Sequence, residues 1–80
     1  MKPLDEALEK SRRRKNLPSP IERRLLRIRA GLTQRDLAKC LGITTAAVSR
    51  YESGSREPRM VILDKYLDVI ERLANEKATA

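Results

Sequence analysis

The sequence predicts an all-α fold, a compact bundle of four to five helices with a possible short N-terminal helix or basic arm ahead of it. Three observations predict it. After residue 19, apolar residues recur at spacings of three and four in every segment. Helix start signals at Ser19, Thr33 and Thr44 alternate with stop signals at Gly31, Gly42 and Gly54. No alternation of apolar and polar residues runs long enough to make a strand.

The first segment stands apart. Pro3 to Lys10 can start a helix, with Pro3 in the first turn and Asp5, Glu6 and Glu9 near its positive end. A basic run, Arg12, Arg13, Arg14 and Lys15, comes late. Leu4, Ala7 and Leu8 share a face too small to hold a helix alone. The segment therefore docks on something or is a mobile basic arm. Asn16-Leu17-Pro18-Ser19-Pro20 then breaks the chain. This divides the sequence into an arm at 1–19, a bundle at 20–74 and a tail at 75–80.

Ser19-Pro20-Ile21-Glu22 fits a capping box with proline at the first helical position. Ile21, Leu25, Ile28 and Leu32 form the expected core stripe of that helix, with Arg23, Arg24, Arg27 and Arg29 around it. Thr33 caps the next helix and Asp36 reaches back to it, with Leu37, Ala38 and Leu41 on the buried side. Gly42 stops that helix after about two turns. Thr44 caps another helix, carrying Ala46, Ala47, Val48 and Tyr51, which Gly54 ends. The stretch Ser53 to Pro58 is rich in turn formers. A last helix is expected from about Arg59 to Leu73 or beyond. Its apolar residues make two rows. One is Ile62, Tyr66, Val69 and Leu73; the other is Leu63, Leu67, Ile70 and Ala74. The combined face is wider than one core contact needs. Both rows can pack on the other helices, but the preferred expectation is that the first row meets a second copy.

Composition narrows the function. Eighty residues carry a formal net charge of +7, with twelve Arg against six Lys. Such an excess points to a polyanion, either nucleic acid or an anionic membrane. Arginine's planar donor fork suits phosphates and guanine edges. The charge is spread over several helices without large aromatics, which disfavours membrane-surface binding. The longest apolar run, Met60 to Leu63, is far too short to cross a bilayer. With no histidine and a single cysteine, the usual general base, the usual metal ligand and any internal disulfide are all missing. No metal, no cofactor and no catalytic residue is expected, nor a small-molecule ligand. Cys40 is read as a small, mostly buried apolar residue. A cytoplasmic, nucleoid-associated protein is expected.

The decisive stretch runs from Leu32 to Gly54. It reads Leu-Thr-Gln-x-x-Leu-Ala-x-x-Leu-Gly-Ile-Thr, then Val-Ser-x-Tyr-Glu-x-Gly, followed by Pro58. Two short helices crossing steeply at Gly42 account for the pattern. Small Ala38 permits close approach, and Ile43 and Val48 fill the corner. This segment closely resembles the helix-turn-helix of the phage repressor and Cro (Xre-type) family of transcriptional regulators, and the likeness covers residues 20 to about 70. One departure is visible. The family usually has two short helices at the C-terminal side, whereas Met60 to Ala74 reads as one long helix or two nearly merged.

The resemblance implies a lambda-repressor-like bundle, a prokaryotic or viral source, and double-stranded DNA as partner. It implies base reading by Thr45, Ala46, Ser49 and Arg50, with Arg50 best suited to guanine. It implies phosphate contacts from Gln34, Thr44, Arg56 and Arg59, and a structural ion pair between Arg27 and Glu52. Tyr51 either packs at the core edge or donates to a phosphate. Arg12, Arg13, Arg14 and Lys15 are either a solvated charge run or an arm gripping DNA. The expected function is a transcriptional repressor acting as a homodimer on a near-palindromic operator. The alternative is an antitoxin or transcriptional bridging factor whose helical core mainly binds another protein.

Overall fold

A computed structural model describes residues 2–76, the side chains at 13, 14 and 76 excepted. Five helices follow one another: α1 (Lys2–Asn16), α2 (Pro20–Arg29), α3 (Gln34–Leu41), α4 (Thr45–Ser53) and α5 (Met60–Glu76). Among the described residues there is no strand.

The start signals work through hydroxyl oxygens. Ser19 Oγ accepts the Glu22 N–H at 3.3 Å. Its own hydroxyl donates to Glu22 Oε1 at 2.9 Å, so Glu22 engages the side chain of the cap instead of completing the expected capping box. At α3 the box is complete, with Asp36 N–H on Thr33 Oγ1 at 3.0 Å and Thr33 N–H on Asp36 Oδ2 at 2.9 Å. Thr44 Oγ1 accepts the Ala47 N–H at 3.1 Å and opens α4. Gly42 stands at φ 70°, a left-handed conformation that costs any side chain. It lets Ile43 N–H bond back to the Ala38 carbonyl at 3.0 Å, which turns the chain sharply from α3 into α4.

The core is built by α3, α4 and α5. Leu37, Ala38 and Leu41 meet Val48, Tyr51, Tyr66, Ile70 and Leu73, and Leu17, Leu26, Leu32 and Ile43 pack at its edge. The rings of Tyr51 and Tyr66 lie 5.9 Å apart, tilted by 50°. Burial pushes the Tyr66 hydroxyl up to about 12.

Three expectations change here. The α2 stripe is rotated: Ile21, Leu25 and Ile28 are 69%, 42% and 48% exposed, while Arg23 and Arg27 are buried. The helical period was right and the phase was not: Arg27 finds the Glu52 carboxylate inside, and Arg23 lies against the Tyr66 ring with its Nε and Nη1 buried and without a hydrogen-bond partner. Arg23 lies with its guanidinium 5.5 Å from the Tyr66 ring centroid and its Nη2 3.7 Å from Glu57 Oε1. Cys40 is exposed, falling outside the stripe of Leu37, Ala38 and Leu41. On α5, a single 17-residue helix, the row Ile62, Tyr66, Val69 and Leu73 expected to face a second copy faces inward. Tyr66 and Leu73 are buried within one chain, and Ile62 and Val69 are half-buried against the same core.

Arg27 and Glu52 join α2 to α4. Arg27 Nε donates to Glu52 Oε2 at 2.6 Å and Nη2 to Oε1 at 3.0 Å, a two-pronged match of fork and carboxylate. Nη1 donates to the Leu32 carbonyl at 2.7 Å, which ties in the turn before α3. The hydrogen bond to Glu52 outweighs desolvation and raises the Arg27 pKa above its ordinary value, so the buried guanidinium keeps its charge. Removing one partner leaves the other charge buried and uncompensated. Glu52→Ala is therefore expected to lower unfolding free energy by about 3–5 kcal/mol. Replacing both, with Arg27→Met and Glu52→Leu, should cost clearly less. Urea denaturation of the three chains checks both statements.

Candidate nucleic-acid interface

The nine residues of α4 divide cleanly between two faces. Val48, Tyr51 and Glu52 are buried and Ala47 is half-buried. Thr45, Ala46, Ser49 and Arg50 are exposed, with Thr44 exposed at the cap. Positions i, i+1, i+4 and i+5 of a helix lie side by side, so these four form one outward ridge. Small residues lead the ridge, Arg50 follows, and exposed Ser53, one turn past Ser49, continues it. Such a ridge brings a helix close to a groove floor while one long, five-donor side chain reaches a base edge or phosphate. Tyr51 belongs to the core side, with its ring against Tyr66.

The start of α3 borders this ridge. Gln34 is the first residue of the helix and is half-buried. Its Nε2 donates to Glu52 Oε1 at 3.1 Å, so the same carboxylate that holds Arg27 also holds Gln34. That link between α3 and α4 had no signal in the spacing; it appears only once Glu52 is known to be buried. The Asp36 and Leu37 N–H groups bond to Thr33. The N–H groups of Gln34 and Arg35 come earlier, at the positive end of the α3 dipole, where an anion is favoured.

The α4–α5 loop supplies the third part. The Arg50 carbonyl accepts from Ser55 N–H at 3.1 Å, Arg56 N–H at 3.3 Å and the Ser53 hydroxyl at 3.1 Å. Gly54, at φ 81°, permits this reversal and sits against Pro20, where an added Cβ would come within 3.3 Å of the ring. The loop thus folds back on the end of α4. Exposed Arg56 and Arg59 border a cleft of about 670 Å³ with Tyr51, Ser55, Glu57 and Ile62.

The basic run of α1 is placed differently. Its helix packs against α5, and Asn16 borders a shallow recess with Leu67, Ile70 and Glu71. Arg12 and Lys15 are exposed, and Arg12 Nη2 pairs with Glu9 Oε2 at 3.2 Å. The Arg13 and Arg14 side chains lie outside the described residues. Reading α2 by apolar spacing missed the inward pair Arg23 and Arg27; their own spacing of four, with Leu26 between, is the signal that could have found them. Among the described residues, no cluster of His, Cys, Asp or Glu is placed to hold a metal ion, and no helix is long and apolar enough to cross a membrane.

A family model described as helix-turn-helix matches residues 24–73. The match takes in all of α3 and α4 and most of α2 and α5. Comparison with curated proteins and with solved structures gave no match.

The box that positions the start of α3 carries a pH dependence. Hydrogen bonds from Thr33, backbone first and side chain second, hold the Asp36 carboxyl below its ordinary 3.8. A depressed folded pKa adds stability that is complete above the unfolded value and is lost as pH falls through the folded one. The stability advantage of the native chain over Asp36→Asn is therefore expected to be constant well above pH 3.8 and to shrink on acidification below it. Thermal unfolding of both chains across that range measures the difference.

Proposed function

Because this chain belongs to the Xre/lambda-repressor-like helix-turn-helix family, a family of DNA-binding regulators and not of enzymes, we propose that it represses transcription by laying α4 in the major groove of an operator. That it is a DNA-binding transcription regulator acting on double-stranded DNA follows from the family. The finer reading rests on one observation: Thr45, Ala46, Ser49 and Arg50 form the single outward ridge of α4 while Val48, Tyr51 and Glu52 anchor its other side.

In this reading residues 20–74 are the DNA-binding domain. Arg50 donates two hydrogen bonds to a guanine, and Thr45, Ala46 and Ser49 fit a thymine methyl or a neighbouring base edge. The start of α3, with Gln34, receives one phosphate, and Thr44, Arg56 and Arg59 grip the backbone on the flanks. Exposed Arg12 and Lys15, with Arg13 and Arg14, add to the attraction for a polyanion. One short helix reads only a few base pairs, so useful specificity calls for two half-sites. A homodimer presenting two copies of α4 about 34 Å apart on a near-palindromic site meets that need. Such a protein works on the nucleoid, and a helix seated on a promoter blocks it by occupancy alone, which suits repression. A prokaryotic or viral source accords with the family's phage repressors. The second reading, an antitoxin or bridging factor that mainly binds another protein, is favoured by the exposed Ile21, Leu25 and Ile28 stripe on α2.

Selection of binding sites from random DNA is expected to return sequences with dyad symmetry and one-turn spacing. On such a site Arg50→Ala should cost about 1–3 kcal/mol and relax preference at one base position. Gln34→Ala should weaken all sequences alike, and it should also loosen α3 on α4 because the bond to Glu52 is lost. The log–log dependence of affinity on salt should fall by roughly 0.9 per phosphate neutralised. A flat salt response, or partner binding that survives Arg50→Ala with no selected DNA site, favours the second reading.

A further inference from the structure

Arg23 is a charge set in a core of otherwise apolar neighbours. It is 1% exposed. Arg27, four residues on and held by Glu52, sets the face of α2 that turns inward, and Arg23 shares that face. Burying a cation costs free energy that must be offset nearby. The Tyr66 ring lies against the guanidinium, whose carbon is 5.5 Å from the ring centroid, and Nη2 stands 3.7 Å from Glu57 Oε1. That separation makes an ion pair and is too long for a hydrogen bond. Nε and Nη1 are buried without a hydrogen-bond partner. The contact with Glu57 is therefore one of charge. For stability alone, an apolar side chain of similar size fills such a space at no greater cost.

Glu57 supplies a reason for the arginine. It is the one acid in the stretch Ser53 to Arg59, with Arg56 just before it and Arg59 two places after. All three are exposed and border the same cleft. A free carboxylate there subtracts from the field of the two arginines and repels an approaching phosphate. Pro58 is fully buried, which keeps the backbone at Glu57 beside that cleft. We propose that Arg23 is a positioning residue for this loop: from inside the bundle its charge holds and neutralises the Glu57 carboxylate, which leaves Arg56 and Arg59 as an uncancelled positive edge. The inference rests on the reading of Arg56 and Arg59 as clamps on the nucleic-acid backbone, and adds to it a residue that meets no nucleic acid. Being buried, Arg23 reaches no ligand; it acts through Glu57.

The test is a double-substitution cycle of the full-length native chain, Arg23→Met, Glu57→Gln and the two together, each checked for folding by circular dichroism. The first measurement is made without DNA. Glu57→Gln is expected to shift the Arg23 side-chain Nε–H resonance, and Arg23→Met the Glu57 carboxylate carbon, with the Thr45–Ser49 amides unmoved. The second is affinity for a duplex of random sequence at low salt, where phosphate contacts dominate. Arg23→Met is expected to weaken binding about tenfold, and adding Glu57→Gln to restore most of that loss. In the native chain Glu57→Gln should change affinity by less than about twofold. An altered net charge acts equally in both backgrounds, and a loss of stability is not restored, so neither imitates this pattern. Arg23→Lys keeps the charge without the planar fork and should bind within about twofold of the native chain. It carries the test should the methionine chain fail to fold. Equal effects of Glu57→Gln in both backgrounds, unmoved side-chain resonances, or a loss of about tenfold with lysine overturns the proposal and leaves the reading of the loop standing. A native chain that binds no duplex, with the resonances shifting as expected, overturns that reading and the proposal with it.

Discussion

The buried ion pair of Arg27 and Glu52 is the interaction on which the arrangement of the helices depends. Glu52 receives three donors, two from Arg27 on α2 and one from Gln34 at the start of α3, and Arg27 passes its remaining prong to the Leu32 carbonyl. One carboxylate thus fixes the positions of α2, the turn after it, α3 and α4. A charge held this way contributes direction more than stability. Apolar contacts at the same place tolerate rotation of a helix about its axis, whereas a fork on a carboxylate tolerates very little.

That restriction bears on α4. With Glu52 aimed inward at Arg27, and Val48 and Tyr51 seated in the core, rotation about the α4 axis is fixed. Thr45, Ala46, Ser49 and Arg50 are left outward as a consequence. The turn at Gly42 sets the crossing with α3, and the loop held on the Arg50 carbonyl returns Arg56 and Arg59 to the same end of the molecule. The chemistry of the surface is supplied by residues that do little for stability, and its shape by residues that never reach it.

Much of this was legible in the sequence. Thr33, Thr44, Gly42 and Gly54 marked α3 and α4, because caps and left-handed turns are local devices with narrow residue requirements. The ridge on α4 followed from those boundaries and from Val48 as a buried anchor. The phase of α2 was not legible. Ile21, Leu25 and Ile28 keep helical spacing as well as Arg23, Leu26 and Arg27 do, and hydropathy chose the wrong set because burial of the arginines depends on Glu52, Glu57 and Tyr66, distant in sequence. Cys40 and the first α5 row failed for a related reason. An apolar residue beside a stripe joins the core or leaves it according to what the neighbouring helix presents, and in α5 that neighbour needed both rows.

The central claim is that the ridge of α4, the start of α3 and the loop after α4 together form the surface that receives DNA. Amide chemical shifts of the labelled protein, followed while a selected duplex is added at moderate salt, test it most directly. Shifts concentrated at Gln34–Arg35, Thr44–Arg50 and Arg56–Arg59 are the predicted result. Shifts confined to α1 and the C-terminal half of α5, with α4 silent, would contradict it.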